Sequence, residues 1–208
     1  VVVVVLFANA SWRWWHNRAP FGPEALSLQS SLEVVGFTES REALGQPVYY
    51  ALSMEPKVQV VLGRVSWHRP PEPLDGSLIV VLIDKRANRL PVIIEARQNR
   101  PGLRDRPEPV VVGSSWIQNK IAQRYQWLSG MADMKTGQDT WLSDGSILWV
   151  DEQEGSPLTF AAIFPAPQTQ SRKQTAARGE PVAISNILLA AVCVGSDDQI
   201  YWAHRLQG

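Results

Sequence analysis

Cysteine is nearly absent from this chain of 208 residues: Cys193 stands alone. A single cysteine excludes an internal disulfide and a thiolate metal cluster. Its place in the apolar run 188–194 predicts a small buried hydrophobe. Histidine is almost as scarce, and His16, His68 and His204 are too far apart for helical or strand spacing to pair them, so no zinc or other metal site is expected. Net charge is missing too. Twenty basic residues balance twenty acidic ones, which leaves no global field to draw in nucleic acid or an anionic membrane. The most basic stretch, 86–106, is interrupted by Asp84, Glu95 and Asp105 at its edge and interior, and it lacks interleaved aromatics, so it reads as a solvated loop. No Gly-x-Gly-x-x-Gly or phosphate loop occurs, and no cofactor or nucleotide is predicted.

What is present is core-forming material. Hydrophobic residues make up 45% and charged residues 19%, enough for one domain plus an appendage. The appendage is read at 1–18. Residues 1–10 are almost wholly apolar, and Trp12, Trp14 and Trp15 then mix with Arg13, His16 and Arg18, the combination selected at a membrane–water interface. The apolar run is shorter than the roughly 20 residues that cross a bilayer. It is therefore read as the distal end of a spanning helix; five consecutive valines leave a buried strand as the alternative.

Residues 19–208 are expected to form a single β-rich domain. Pro23 could open a helix running to Leu32, with Gly36 ending the segment. Strands are predicted at 57–67, 77–83, 91–96, 147–150, 158–164, 187–194 and 199–206, with hairpins joining 77–83 to 91–96 and 187–194 to 199–206. Ser143-Asp144-Gly145-Ser146 supplies a further tight turn after Trp141-Leu142. Ile117, Ile121, Tyr125 and Leu128 fall at helical spacing and predict one helix, capped by Ser114 or Ser115 and ending near Gly130. The expected fold is mainly β (α+β), a coiled antiparallel sheet or small barrel with one or two helices, after an N-terminal membrane anchor.

One motif carries possible chemistry. Ser53-Met54-Glu55-Pro56 is followed by Val58-Gln59-Val60, Gly63-Arg64-Val65-Ser66-Trp67, Pro70-Pro71-Glu72-Pro73 and Asp75-Gly76-Ser77-Leu78-Ile79-Val80-Val81. This order, over residues 47–81, resembles the type I signal peptidase family, whose members are serine–lysine proteases with a Ser-Met-x-Pro box just beyond a membrane helix. The resemblance implies Ser53 as nucleophile and a neutral lysine as its base. Gln123 stands in the lysine's place, and Lys120 is the nearest substitute. The family's later box is also missing: residues 160–178 offer only Phe164-Pro165-Ala166-Pro167 and Ser171-Arg172-Lys173.

Other clusters carry less. Asp151, Glu152 and Glu154 read as a solvated loop, and Ser196-Asp197-Asp198 as turn chemistry. Of the nine tryptophans, the six beyond the interfacial cluster should be mostly core, with one or two on a docking surface. The favoured expectation is a non-enzymatic, membrane-anchored accessory or assembly protein, its domain extracytoplasmic, binding partner proteins in a secretion or membrane complex. The alternatives are a divergent or inactive signal-peptidase-like serine protease and a pilin-like subunit.

Overall fold

The computed structural model describes residues 19–35, 59–70, 72–86, 91–98, 108–109, 111–113, 117–131, 147–150, 157–164 and 182–208. Among these described residues ten strands form two antiparallel sheets. In chain order they are β1 (Gln29–Val35), β2 (Gln59–Ser66), β3 (Gly76–Asp84), β4 (Val92–Gln98), β5 (Glu108–Pro109), β6 (Val111–Gly113), β7 (Ile147–Val150), β8 (Leu158–Phe164), β9 (Ile187–Gly195) and β10 (Ile200–Gln207). The first sheet has the order β1-β2-β8-β4-β5, the second β10-β9-β3-β7-β6. The described residues also hold two α-helices, α1 (Pro23–Leu26) and α2 (Ile117–Arg124), and short 3-10 segments at Gln126–Met131 and Ile184–Asn186.

The burial pattern explains the layering. All nine residues of β9 are buried, and seven of the nine in β3, so these strands are covered on both faces. One face supplies Leu78, Val80, Leu82, Leu189 and Ala191 to a core shared with Val61, Val65, Phe160, Ala162 and Phe164 of the first sheet. The opposite face supplies Ile79, Val81, Ile83, Ala190 and Val192 to a second core, closed by Ile117, Ile121, Leu128 and Met131. The result is sheet on sheet on helix. Period-two alternation in β3 and β9 sends successive side chains to different cores, which is why both strands read as unbroken apolar runs.

Local chemistry fixes the details. Gly63 lies opposite Phe160 in the β2–β8 ladder, and a Cβ there would fall within the phenyl ring. The missing side chain is thus what lets Phe160 fold across its neighbour strand. Gly76 has φ +157, and a Cβ would strike the Val194 carbonyl. Asp84, at the end of β3, is buried yet held bidentately: Arg86 Nε donates to its Oδ1 at 3.0 Å and Nη2 to its Oδ2 at 2.9 Å. The Arg86 backbone N–H adds a third bond at 3.0 Å. Paired and hydrogen-bonded, this carboxylate can remain inside.

The sequence expectations fare unevenly. The β9–β10 hairpin forms as anticipated, its turn held by the Gly195 N–H on the Gln199 carbonyl at 2.7 Å and Gln199 N–H on Asp197 Oδ1 at 3.2 Å. Cys193 is buried in β9. The expected hairpin between 77–83 and 91–96 does not form, because β3 and β4 lie in different sheets, β3 between β9 and β7 and β4 between β8 and β5. The helix expected from Pro23 to Leu32 stops at Leu26. Ser27 turns left-handed with φ 46, and the chain enters β1, paired with β2 from Gln29↔Ser66 to Val35↔Val60.

The expected fold class needs correction. The architecture is mixed α/β, with antiparallel sheets and a few short helices, rather than a mainly β coiled sheet or small barrel behind a single-pass anchor. Among the described residues no helix is long and apolar enough to cross a membrane. The eight residues of α2 rise about 12 Å, against a hydrocarbon core of about 30 Å. The segment 1–18, with Trp12, Arg13, Trp14, Trp15 and Arg18, lies outside the described residues. A membrane-anchored, extracytoplasmic placement is accordingly withdrawn.

Candidate functional site

Of the residues singled out for peptidase chemistry, Lys120 alone falls among the described residues. Ser53 lies outside the described residues, as do Asp151, Glu152 and Glu154, and Lys120 sits on the exposed face of α2. Among the described residues no group of His, Cys, Asp and Glu is arranged to hold a metal ion.

A different arrangement emerges where the helical layer meets the edge strand β10. Helix α2 buries Ile117, Gln118, Ile121 and Ala122 against the second sheet, and its last turn exposes Arg124. The Tyr125 N–H closes that turn on the Ile121 carbonyl at 2.8 Å, and the Leu128 N–H bonds the Tyr125 carbonyl at 2.8 Å. The tightened 3-10 path turns Leu128 into the core and leaves Tyr125 and Trp127 half-buried at the surface. Their rings meet edge to face, centroids 6.1 Å apart at 66°.

Strand β10 brings the remaining part. Its register against β9 shifts between Ile200 and Trp202, so Ile200 and Ala203, three apart, both face the helical core. Such a bulge re-aims the side chains that follow it. Arg205, next on that face, places its guanidinium over Trp127 at 5.1 Å from the ring centroid. Arg124 lies 5.7 Å over Tyr125 and donates through Nη1 to the Ile200 carbonyl. Arg205 Nη1 donates to the Gly208 carbonyl at 3.2 Å. Each stacking contact is worth about 0.5–1 kcal/mol at an exposed position. Trp202, on the other face, bonds the Phe21 carbonyl through Nε1 at 3.0 Å and ties α1 to the same strand.

Among the described residues neither Arg124 nor Arg205 has an Asp or Glu partner, whereas Arg86 does. Both guanidiniums are exposed; each commits Nη1 to a backbone oxygen, and stacking on a ring leaves its other in-plane N–H groups open to a ligand. The surface therefore pairs two positively charged forks with two half-exposed aromatic rings. It offers recognition of negative charge beside an apolar group, and no nucleophile–base pair. Sequence reasoning placed Tyr125 on the helix face and Trp127 among the scattered tryptophans. It had no means to join them to Arg205, some eighty positions later in an unrelated element.

No family model matches the chain, and neither a curated protein nor a solved structure is significantly similar to it. These comparisons neither support nor exclude a signal-peptidase-like identity. The expectation of a membrane-anchored accessory protein, with the membrane among its partners, is corrected: what the described residues form is a β-rich domain with small helical elements and no spanning helix.

Proposed function

We propose that this domain is a binding module whose recognition surface is formed by Arg124, Tyr125, Trp127 and Arg205, and that its ligand carries negative charge beside an aromatic or apolar group. The observation that supports the reading is the pairing of two exposed, ring-stacked guanidiniums with no Asp or Glu partner among the described residues. Planar guanidinium suits carboxylate or phosphate through paired N–H bonds, and the rings supply apolar surface at low entropic cost.

The direct test is a nuclear magnetic resonance titration with benzoate and with phenyl phosphate, small probes that combine a ring with an anion. Shifts should concentrate at residues 117–131 and 200–207, include the Trp127 indole N–H, and vanish in Arg205→Gln. Unmoved signals with both probes at saturation would contradict the proposal.

A further inference from the structure

We infer that the ligand of this surface is an acidic peptide segment in extended conformation, with carboxylate side chains flanking an apolar or aromatic residue; the inference rests on the anion-binding reading above. Three observations select it. The chain has no net charge, so it generates no long-range field of the kind that concentrates a polyanion or an anionic membrane surface. Recognition must instead come from the short-range fit of a few groups, which favours a ligand with isolated charges.

The spacing of the surface is the second observation. Tyr125 and Trp127 have centroids 6.1 Å apart, and alternate side chains on one face of an extended chain lie about 7 Å apart. Two such side chains can meet the two rings in succession, with the arginine belonging to each ring available to an adjoining carboxylate.

Third, the surface borders β10, an edge strand of the second sheet. A register shift near each end of β10 disrupts a regular hydrogen-bond ladder. A docked peptide would therefore be held by side-chain pairs rather than by adding a strand. Its affinity should depend on the arginines and fall with salt.

The test is calorimetric titration of the full chain with the peptide acetyl-Glu-Phe-Glu-Leu-Glu-amide and with its Gln-Phe-Gln-Leu-Gln counterpart. A ten-residue oligothymidylate and vesicles containing phosphatidylserine are titrated in parallel. The expected result is binding of the acidic peptide alone, weakened about tenfold or more in Arg124→Gln and again in Arg205→Gln. Both positions are exposed, and unchanged circular dichroism would verify that the variants fold. Equal binding of the Gln peptide would overturn the inference, since charge would then play no part. Binding of oligothymidylate or vesicles through the same arginines, without the acidic peptide, would overturn the peptide and leave the anion-binding surface standing. No binding in any arm also overturns the peptide, and the benzoate and phenyl phosphate titration then decides whether the surface reading falls with it.

Discussion

On one face of the second sheet, Leu78, Val80, Leu82 and Leu189 meet a whole opposing sheet with Phe160 and Phe164 at its centre. On the other, Ile79, Val81, Ile83 and Ala190 meet one eight-residue helix and a 3-10 turn. The first face is covered by strands of comparable length, so its apolar groups are enclosed on every side. The second is covered by helical turns rather than strands, and beyond the last turn of α2 Tyr125 and Trp127 lie half-buried, close to β10. The same contrast holds for charge. Arg86 is bound to the buried Asp84 within the frame, whereas Arg124 and Arg205 stack on rings at the rim.

The strongest way to break this contrast is to hollow the sheet-on-sheet core. Phe160→Ala should cost about 3–5 kcal/mol in chemical denaturation, because it removes a fully buried ring and leaves the space above Gly63 empty. Asp84→Ala comes close behind, at about 3–5 kcal/mol, by stranding the Arg86 guanidinium in a largely buried setting. In the helical layer, Ile121→Ala should lose about 2 kcal/mol, the low end for such truncations, since a short helix can settle into the gap. A loss there larger than that of Phe160→Ala would reverse the ranking of the two faces.

At the rim, Arg205→Gln should change stability by less than about 1 kcal/mol, the worth of one exposed cation–ring contact. The smallest effect concerns the β9–β10 turn. Tyr201 is pushed above the usual tyrosine range, first by burial and then by Asp197, Cys193 and Asp75. The folded protein thus holds this phenolic proton more tightly than the unfolded chain does. The associated stability is fully present below the ordinary tyrosine pKa and declines as the pH rises through the raised folded value. Tyr201→Phe should flatten that alkaline decline in a melting series from neutral to high pH; an unchanged slope would contradict it.

Much of the frame was legible in the sequence, and its failures share a cause. The runs at 158–164 and 187–194 are short, apolar and bounded by turn residues, so strand was the natural reading. Ile117 and Ile121 at helical spacing marked the covering helix, whose polar Asn119 and Gln123 are exposed as expected, but it ends at Arg124 rather than near Gly130, and Leu128 reaches the core from the 3-10 turn beyond. Sheet assignment was not legible. Neighbouring runs at 77–83 and 91–96 look like a hairpin, yet the doubly apolar β3 is more fully buried between β9 and β7, and the chain crosses to the other sheet before β4. Pro23 suggested a longer helix, but Leu32 and Val34 pack better from an edge strand beside β2. The rim site was hidden for a related reason. Arg124, Tyr125 and Trp127 are local in sequence, but Arg205 reaches them only through the β10 bulge, which no residue pattern announced.

The most direct measurement is amide hydrogen exchange of the full chain, with and without the acidic peptide. The account predicts that the amides of β3 and β9, covered on both faces, are the slowest to exchange and are unchanged by the peptide. Added protection should appear only at residues 117–131 and 200–207. Protection induced elsewhere, or a β9 that exchanges as fast as β10, would contradict the division into an enclosed frame and a recognition rim.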